Sequence, residues 1–104
     1  MKKSRQKKLE GAGWKVGGAK EFLGLSEEEI RLIETKRSLI RMIREIRKSA
    51  DITQKELAAM INSSQSRVAK MEAASPDVSL DLIFRSLFAL GISQKKLGRV
   101  ISQL

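Results

Sequence analysis

The sequence contains no cysteine and no histidine. Without cysteine the chain can form neither a disulfide framework nor a reactive thiolate. The absence of both residue types excludes metal sites built from histidine and cysteine, and it excludes catalytic triads that depend on histidine. No apolar run approaches the roughly 18 residues of a membrane span, and no apolar stretch of a secretory signal follows the basic start. We therefore expect a cytoplasmic protein with no metal and no cofactor.

Aromatic residues make up only 4% of the chain, and there is a single proline, Pro76. The apolar content of 41% is carried mainly by Ile, Leu, Val, Met and Ala, which favours packed helices over a sheet. A chain of 104 residues forms one small domain with tails, and dimerisation would help to stabilise its modest core. We expect an all-α fold.

The positive charge is concentrated at the start of the chain. Residues 1–20 hold seven basic residues and one acidic residue, 7 − 1 = +6, out of a net charge of +9. Such a segment suits nucleic acid or another anionic surface, although it could instead be a solubilising end. We interpret residues 1–20 as a basic flexible arm. Its single Trp14 either anchors on a partner or packs loosely.

The helical pattern begins at Ser26, which forms a capping-box sequence with Glu29, and continues to about Ser49. Two offset apolar stripes run through it, with Lys36 filling a gap in the first. The pattern fits one long helix with two buried faces, or two helices kinked near residues 36–38. The first stripe consists of Leu32, Leu39, Ile43, Ile46 and Ala50. The second stripe consists of Ile30, Ile33 and Ile40. The second half is basic, with Arg37, Arg41, Arg44, Arg47 and Lys48.

Two short helices joined by a tight turn are predicted over residues 53–72, TQKELAAMINSSQSRVAKME. Thr53 and Glu56 form a second capping box. Asn62 tolerates a left-handed backbone and ends the first helix. Ser63 or Ser64 caps the next helix, which is rich in polar side chains. This is the plan of a helix-turn-helix that reads DNA.

Two further helices follow. Ser79 caps a helix over residues 80–90 that Gly91 closes, and Ser93 caps a last helix over residues 94–102. These two helices carry an apolar surface that favours a homodimer over a core alone. The residues of that surface are Phe84, Phe88, Leu97, Val100, Ile101 and Leu104.

Residues 37–92 resemble the cro/C1 (XRE) family of helix-turn-helix repressors. The resemblance is carried by Arg47, ITQKELA at 52–58, SQSRVAKME at 64–72 and the closing SLDLIFRSLFALG. It implies a five-helix lambda-repressor-like DNA-binding domain at 37–104 with a C-terminal dimerisation helix. Residues 21–36 would then be an extra N-terminal helical extension. Asn62 stands where the family usually has glycine, and it can adopt the same conformation.

The resemblance also implies roles for individual residues. Gln54 would hold a phosphate at the start of the bracing helix, as helix N-termini do. Gln65 could contact adenine, and Arg67 or Lys70 could contact guanine or phosphate. Arg47 and Glu72 would form a structural ion pair that fixes the recognition helix. The full DNA-binding set is Gln54, Ser64, Gln65, Ser66, Arg67 and Lys70.

From GWKVGGAKEFLGLSEEE onward the chain also resembles HigA-like antitoxins. That resemblance implies a repressor of its own operon that also neutralises a RelE/HigB-like toxin. The acidic, apolar stretch at 21–29 could dock on a basic toxin, whereas the basic arm would repel it. The alternative is a stand-alone phage-like repressor. In either case we expect a homodimer on near-palindromic double-stranded DNA and no enzyme, since no carboxylate cluster or activated nucleophile is present.

Overall fold

The computed structural model describes residues 24–104, and within that range the chain forms five α-helices and no strand. They are α1 (Glu27–Ser49), α2 (Gln54–Met60), α3 (Gln65–Glu72), α4 (Leu80–Ala89) and α5 (Gln94–Ser102). The predicted all-α, five-helix architecture is confirmed for this part. The basic arm, with Trp14, and residues 21–23 of the extension lie outside the described residues. Of the described helices, none is long and apolar enough to cross a membrane.

Helix α1 is one continuous helix, so the alternative of two kinked helices is wrong. Its start is the predicted capping box: Ser26 Oγ accepts from the Glu29 amide at 3.2 Å, and Glu29 Oε1 accepts from the Ser26 amide at 2.8 Å. No glycine or proline interrupts the sequence at 36–38, and its residues tolerate a helix.

The expectation that α1 buries both apolar stripes is only partly correct. Leu39 and Ile43 are fully buried, but Leu32 and Ile33 are 42% and 40% exposed, and Ala50 is exposed too. Periodicity shows which residues share a helix face, but it does not show whether another element covers that face. Lys36, in the gap of the first stripe, donates from Nζ to the Val78 carbonyl at 2.6 Å.

Each of the helices α2 to α5 begins at a hydroxyl side chain that accepts the amide three residues later. These N-caps are Thr53, Ser64, Ser79 and Ser93. Of the two candidate N-caps of α3, Ser63 and Ser64, the cap is therefore Ser64, whose Oγ accepts from the Arg67 amide at 3.1 Å. Such caps satisfy amides that have no partner inside the helix.

Helices α1 to α4 all end in the same left-handed turn. In α2, for example, the Ser63 amide donates to the Ala58 carbonyl at 2.8 Å, and the Asn62 amide donates to the Ala59 carbonyl at 3.2 Å. This is the Schellman arrangement, which needs positive φ at the residue after the cap. The residues with positive φ are Asp51 (61°), Asn62 (54°), Ala74 (58°) and Gly91 (96°). Asn62 and Gly91 are the two that the sequence predicts.

Residues 33–104 form one compact unit whose core draws on every helix. The core includes Leu39 and Ile43 of α1, Leu57 of α2, Val68 and Met71 of α3, Ile83 and Leu87 of α4, and Leu97 of α5. Burying such a side chain stabilises the fold by about 1.5–3 kcal/mol. Because Val68 and Met71 point inward, the opposite side of α3 faces solvent. Before residue 33, Leu25 packs against buried Ile30 in a small separate cluster.

Candidate nucleic-acid interface

Helices α2 and α3 form a compact pair joined by residues 61–64. Ile61 is buried in this connection and Asn62 adopts the left-handed conformation, so the chain reverses within a few residues. Leu57 and Ala58 of α2 are buried in the same core as Val68 and Met71 of α3. The shared core holds the two helices as one unit, with the second presenting its polar side.

The outward side of α3 carries four of the predicted DNA-binding residues: Gln65, Ser66, Arg67 and Lys70. All four are exposed, and none of their side chains makes a hydrogen bond or ion pair with the part of the chain that the structure describes. An amide, a hydroxyl, a guanidinium and an ammonium group are the groups that pair with base edges and phosphates. This row of side chains is therefore free to bind a nucleic acid.

Ser64 stands at the N-terminus of α3 and acts as its cap. Its oxygen is used by the Arg67 amide, but the hydroxyl proton can still be donated to a ligand. The side chain is exposed, and it lies at the positive end of the helix. Ser64 therefore holds the first turn of α3 in place and can also contact an anion there.

Arg47 of α1 and Glu72 of α3 form a buried bidentate ion pair. Arg47 Nε lies 2.6 Å from Glu72 Oε2, and Arg47 Nη2 lies 2.8 Å from Glu72 Oε1. The two side chains are only 10% and 5% exposed. The remaining guanidinium nitrogen, Nη1, donates to the Ile52 carbonyl at 2.7 Å. The pair joins the last turn of α3 to α1 and to the loop before α2.

The electrostatics of this pair favour the charged form of both groups. The hydrogen bond with Glu72 raises the pKa of Arg47, although burial acts in the opposite direction. Burial alone would raise the pKa of Glu72, but hydrogen bonds from Arg47 and Gln54 and the charges of Arg47 and Arg44 together hold that pKa below its ordinary value. Glu72 is thus a buried carboxylate at neutral pH.

Gln54, the predicted phosphate-binding residue, belongs to the same network. It is the first residue of α2, and its Nε2 donates to Glu72 Oε1 at 3.1 Å. The second proton of that amide has no partner among the described residues and could still reach a phosphate. The amide is thereby oriented by Glu72, a contact that the sequence motif did not indicate.

Arg44 is a further residue that the sequence did not assign to the site. Its Nη1 lies 3.5 Å from the Glu72 carbonyl at the end of α3. A cation there suits the negative end of the helix. The signal was present in the spacing, because Arg44 precedes Arg47 by three residues and so lies about one turn away on the helix that braces α3.

A polar groove runs between α3 and the start of α4. Its charged lining consists of Arg67, Lys70 and Arg85 against Asp77 and Asp81, 3 − 2 = +1. Arg85 Nε lies 3.4 Å from Asp81 Oδ2, so part of this charge is already paired.

Residues 24–104 contain no group of three or more acidic, histidine or cysteine side chains that could hold a metal ion.

The family described as Helix-turn-helix matches residues 43–85. The matched range begins within α1 and ends within α4, so it contains α2, the turn and α3. The match supports the predicted helix-turn-helix resemblance over this range, which is less than half of the chain. No curated protein and no solved structure matches the chain. The resemblance to HigA-like antitoxins stays a prediction.

Proposed function

We propose that this chain, a DNA-binding transcriptional regulator by its helix-turn-helix domain, is a sequence-specific repressor that binds a near-palindromic operator as a homodimer. The observation that carries the proposal is the exposed, unpaired row of polar side chains on α3. The buried Arg47–Glu72 pair holds the helix behind that row. Side chains held in a fixed orientation discriminate between bases better than mobile ones, because less conformational freedom is lost on binding.

In this proposal α3 enters the major groove and the start of α2 lies against the backbone. Gln65, at the start of α3, pairs with an adenine edge, and Arg67 or Lys70 addresses guanine or phosphate. Gln54, oriented by Glu72, donates its free amide proton to a phosphate. The base contacts would specify the sequence, and the phosphate contact would fix the position of the domain.

The test of this function is binding to the DNA directly upstream of the chain's own coding sequence. The Gln65→Ala variant should lose about 1–3 kcal/mol of specific binding, which is roughly 5- to 150-fold in affinity. Lys95→Ala, an exposed cation on α5, is the matched control and should bind as the parent does. Equal affinity of the parent and Gln65→Ala at one salt concentration would contradict the assignment of α3 as the reading helix.

The homodimer is supported by apolar side chains left exposed near the C-terminus. Phe88, Ile101 and Leu104 are 42%, 39% and 45% exposed, whereas Leu97 belongs to the core. The ring of Phe88 packs edge to face against the ring of Phe84, with 6.3 Å between the ring centroids. A two-fold dimer through this region would place two α3 helices on successive turns of the major groove.

Sedimentation analysis of the parent and two variants tests the dimer. Phe88→Ser should shift the chain towards monomer. Met60→Ser removes a similarly exposed apolar side chain from α2, 48% against 42% for Phe88, and should leave the oligomeric state unchanged. A parent that sediments as a monomer at micromolar concentration, or a Phe88→Ser variant that dimerises as the parent does, would contradict this interface.

A second candidate function is that of an antitoxin whose start binds a basic toxin. The supporting observation is the beginning of α1, where residues 27–32 hold three acidic residues and one basic residue, 3 − 1 = −2. Exposed Leu32 adds an apolar contact there. Capture of the tagged full chain from its native cells should recover a small basic protein encoded beside it. Recovery of only the chain and DNA would contradict the antitoxin function and favour the stand-alone repressor.

A further inference from the structure

The positive charge of the described chain is concentrated in one part of α1. Residues 24–104 contain 14 basic and 10 acidic residues, 14 − 10 = +4. Residues 37–48 alone contain five basic residues and one acidic residue, 5 − 1 = +4. The rest of the described chain is therefore balanced, 9 − 9 = 0. Most of the excess charge lies on the helix that supports α3, while residues 65–72 of α3 itself carry 2 − 1 = +1.

Four of these cations share one face of α1, which we call the α1 basic stripe: Arg37, Arg41, Arg44 and Lys48. Their spacing of four, three and four residues places them within about 60° of one another around the helix. All four are exposed. Arg47 is not part of the stripe, because it is buried and its charge is matched by Glu72.

Three of the four cations of the stripe have no anionic partner within the described chain, whereas the fourth, Arg44, lies beside Glu72. Arg37, Arg41 and Lys48 form no ion pair there, although Glu45 lies on the same helix. From Arg37 to Lys48 the stripe extends eleven residues, or about 16 Å along the axis. Like charges at this spacing on a helix repel one another, so an external anion would relieve that repulsion.

We propose that the α1 basic stripe is a second nucleic-acid contact, which follows the phosphates of the DNA backbone beside the groove that α3 occupies. This inference rests on the proposed function and adds a surface to it. The length of about 16 Å lets the cations of the stripe reach several phosphates of one strand. The contact neutralises phosphates without reading bases, so it strengthens binding to every sequence.

Two observations favour DNA over an acidic protein as the occupant. The stripe is continuous with the helix-turn-helix network, because Arg44 reaches the carbonyl of Glu72 while Gln54 binds the carboxylate of the same residue. The stripe also has no exposed apolar residue between its cations: Ile40 and Ile43 are buried, and Met42 packs partly against the core. A protein interface would be expected to include apolar anchors, whereas a phosphate contact needs only cations.

The experiment compares two full-length variants that each lose three positive charges. The stripe variant is Arg37→Gln, Arg41→Gln, Lys48→Gln; it keeps Arg44, which contacts Glu72. The control is Lys95→Gln, Lys96→Gln, Arg99→Gln, three exposed cations of α5. Binding to a 30-base-pair duplex of mixed sequence is measured by fluorescence anisotropy between about 50 and 200 mM salt. Circular dichroism checks that both variants keep the helical fold.

The stripe variant should lower the magnitude of the slope of log K against log salt by up to about 2.7, or roughly 0.9 for each lost phosphate contact. The parent would then lose roughly 40-fold more affinity than the stripe variant over that salt range. The control variant should keep the slope of the parent. Equal slopes in the parent and the stripe variant, or an equal change in both variants, would overturn the inference while leaving base reading by α3 intact. A parent that binds no duplex at any salt would overturn the proposed function as well.

Discussion

Replacing Arg47 by Met tests whether the ion pair braces α3. The change removes two hydrogen bonds to Glu72 and one to the Ile52 carbonyl. The Glu72 carboxylate, whose side chain is 5% exposed, then keeps only the hydrogen bond from Gln54 and the more distant charge of Arg44. Removing one partner of such a buried pair costs about 3–5 kcal/mol. Since small domains have a total stability of about 5–15 kcal/mol, this variant should be strongly destabilised.

A double-mutant cycle separates the pair from its surroundings. Arg47→Met and Glu72→Met each leave a buried charge unpaired, whereas the double variant leaves none. The double variant should therefore be more stable than Arg47→Met alone. Urea denaturation followed by far-ultraviolet circular dichroism gives the free energies of unfolding. The exposed pair Arg85–Asp81 is the control, with an expected coupling of about 0–1 kcal/mol.

Two results would contradict the role of the ion pair in bracing α3. If Arg47→Met lowered the free energy of unfolding by less than about 1 kcal/mol, as is typical of an exposed pair, the buried pair would not brace the fold. A double variant less stable than both single variants would point the same way. In that case the orientation of α3 would depend on the packing of Val68 and Met71 alone.

Four further outcomes are expected from local geometry and charge. Ala74→Gly should raise the free energy of unfolding by about 0.5–1 kcal/mol, because Ala74 has φ 58°, which favours glycine. Gly91, with φ 96°, is the reverse case, so Gly91→Ala should lower the free energy of unfolding by about 1 kcal/mol. Urea denaturation measures both changes. Thr53→Ala should cost about 1 kcal/mol of stability in the same assay through loss of the α2 capping box, and an unchanged midpoint would contradict this. The pKa of Glu72 is lowered in the folded chain, so its contribution to stability is present above the ordinary value of 4.5 and is lost as pH falls through the folded value. Acid titration should therefore destabilise the parent more steeply below that value than it destabilises Glu72→Gln, and parallel curves would contradict the sign of the shift.

The helix starts could be predicted from the sequence because each depends on a local pairing. Thr53 with Glu56 and Ser26 with Glu29 form hydrogen bonds within four residues, so no tertiary information is needed. The polar side of α3 was predictable for a similar reason. Buried Val68 marks the side of α3 that faces the core, so the opposite side must face solvent. Local chemistry determined these features.

The features that could not be predicted depend on distant partners or on strain. Ala74 adopts a left-handed conformation that its type disfavours, because the Schellman turn after α3 requires it. Leu32 shares its helix face with buried residues but is 42% exposed, because no described residue covers it. Lys36 donates to the Val78 carbonyl, 42 residues away, and no sequence spacing indicates that contact.

Selection of DNA from a random pool of duplexes by the full chain tests sequence-specific binding most directly. We expect enrichment of a near-palindromic site with half-site centres about 10–10.5 base pairs apart. We also expect that the Gln65→Ala variant loses its base preference at one position in each half-site. A pool that gains no common sequence after repeated rounds, despite binding to the chain, would contradict the claim that α3 reads bases.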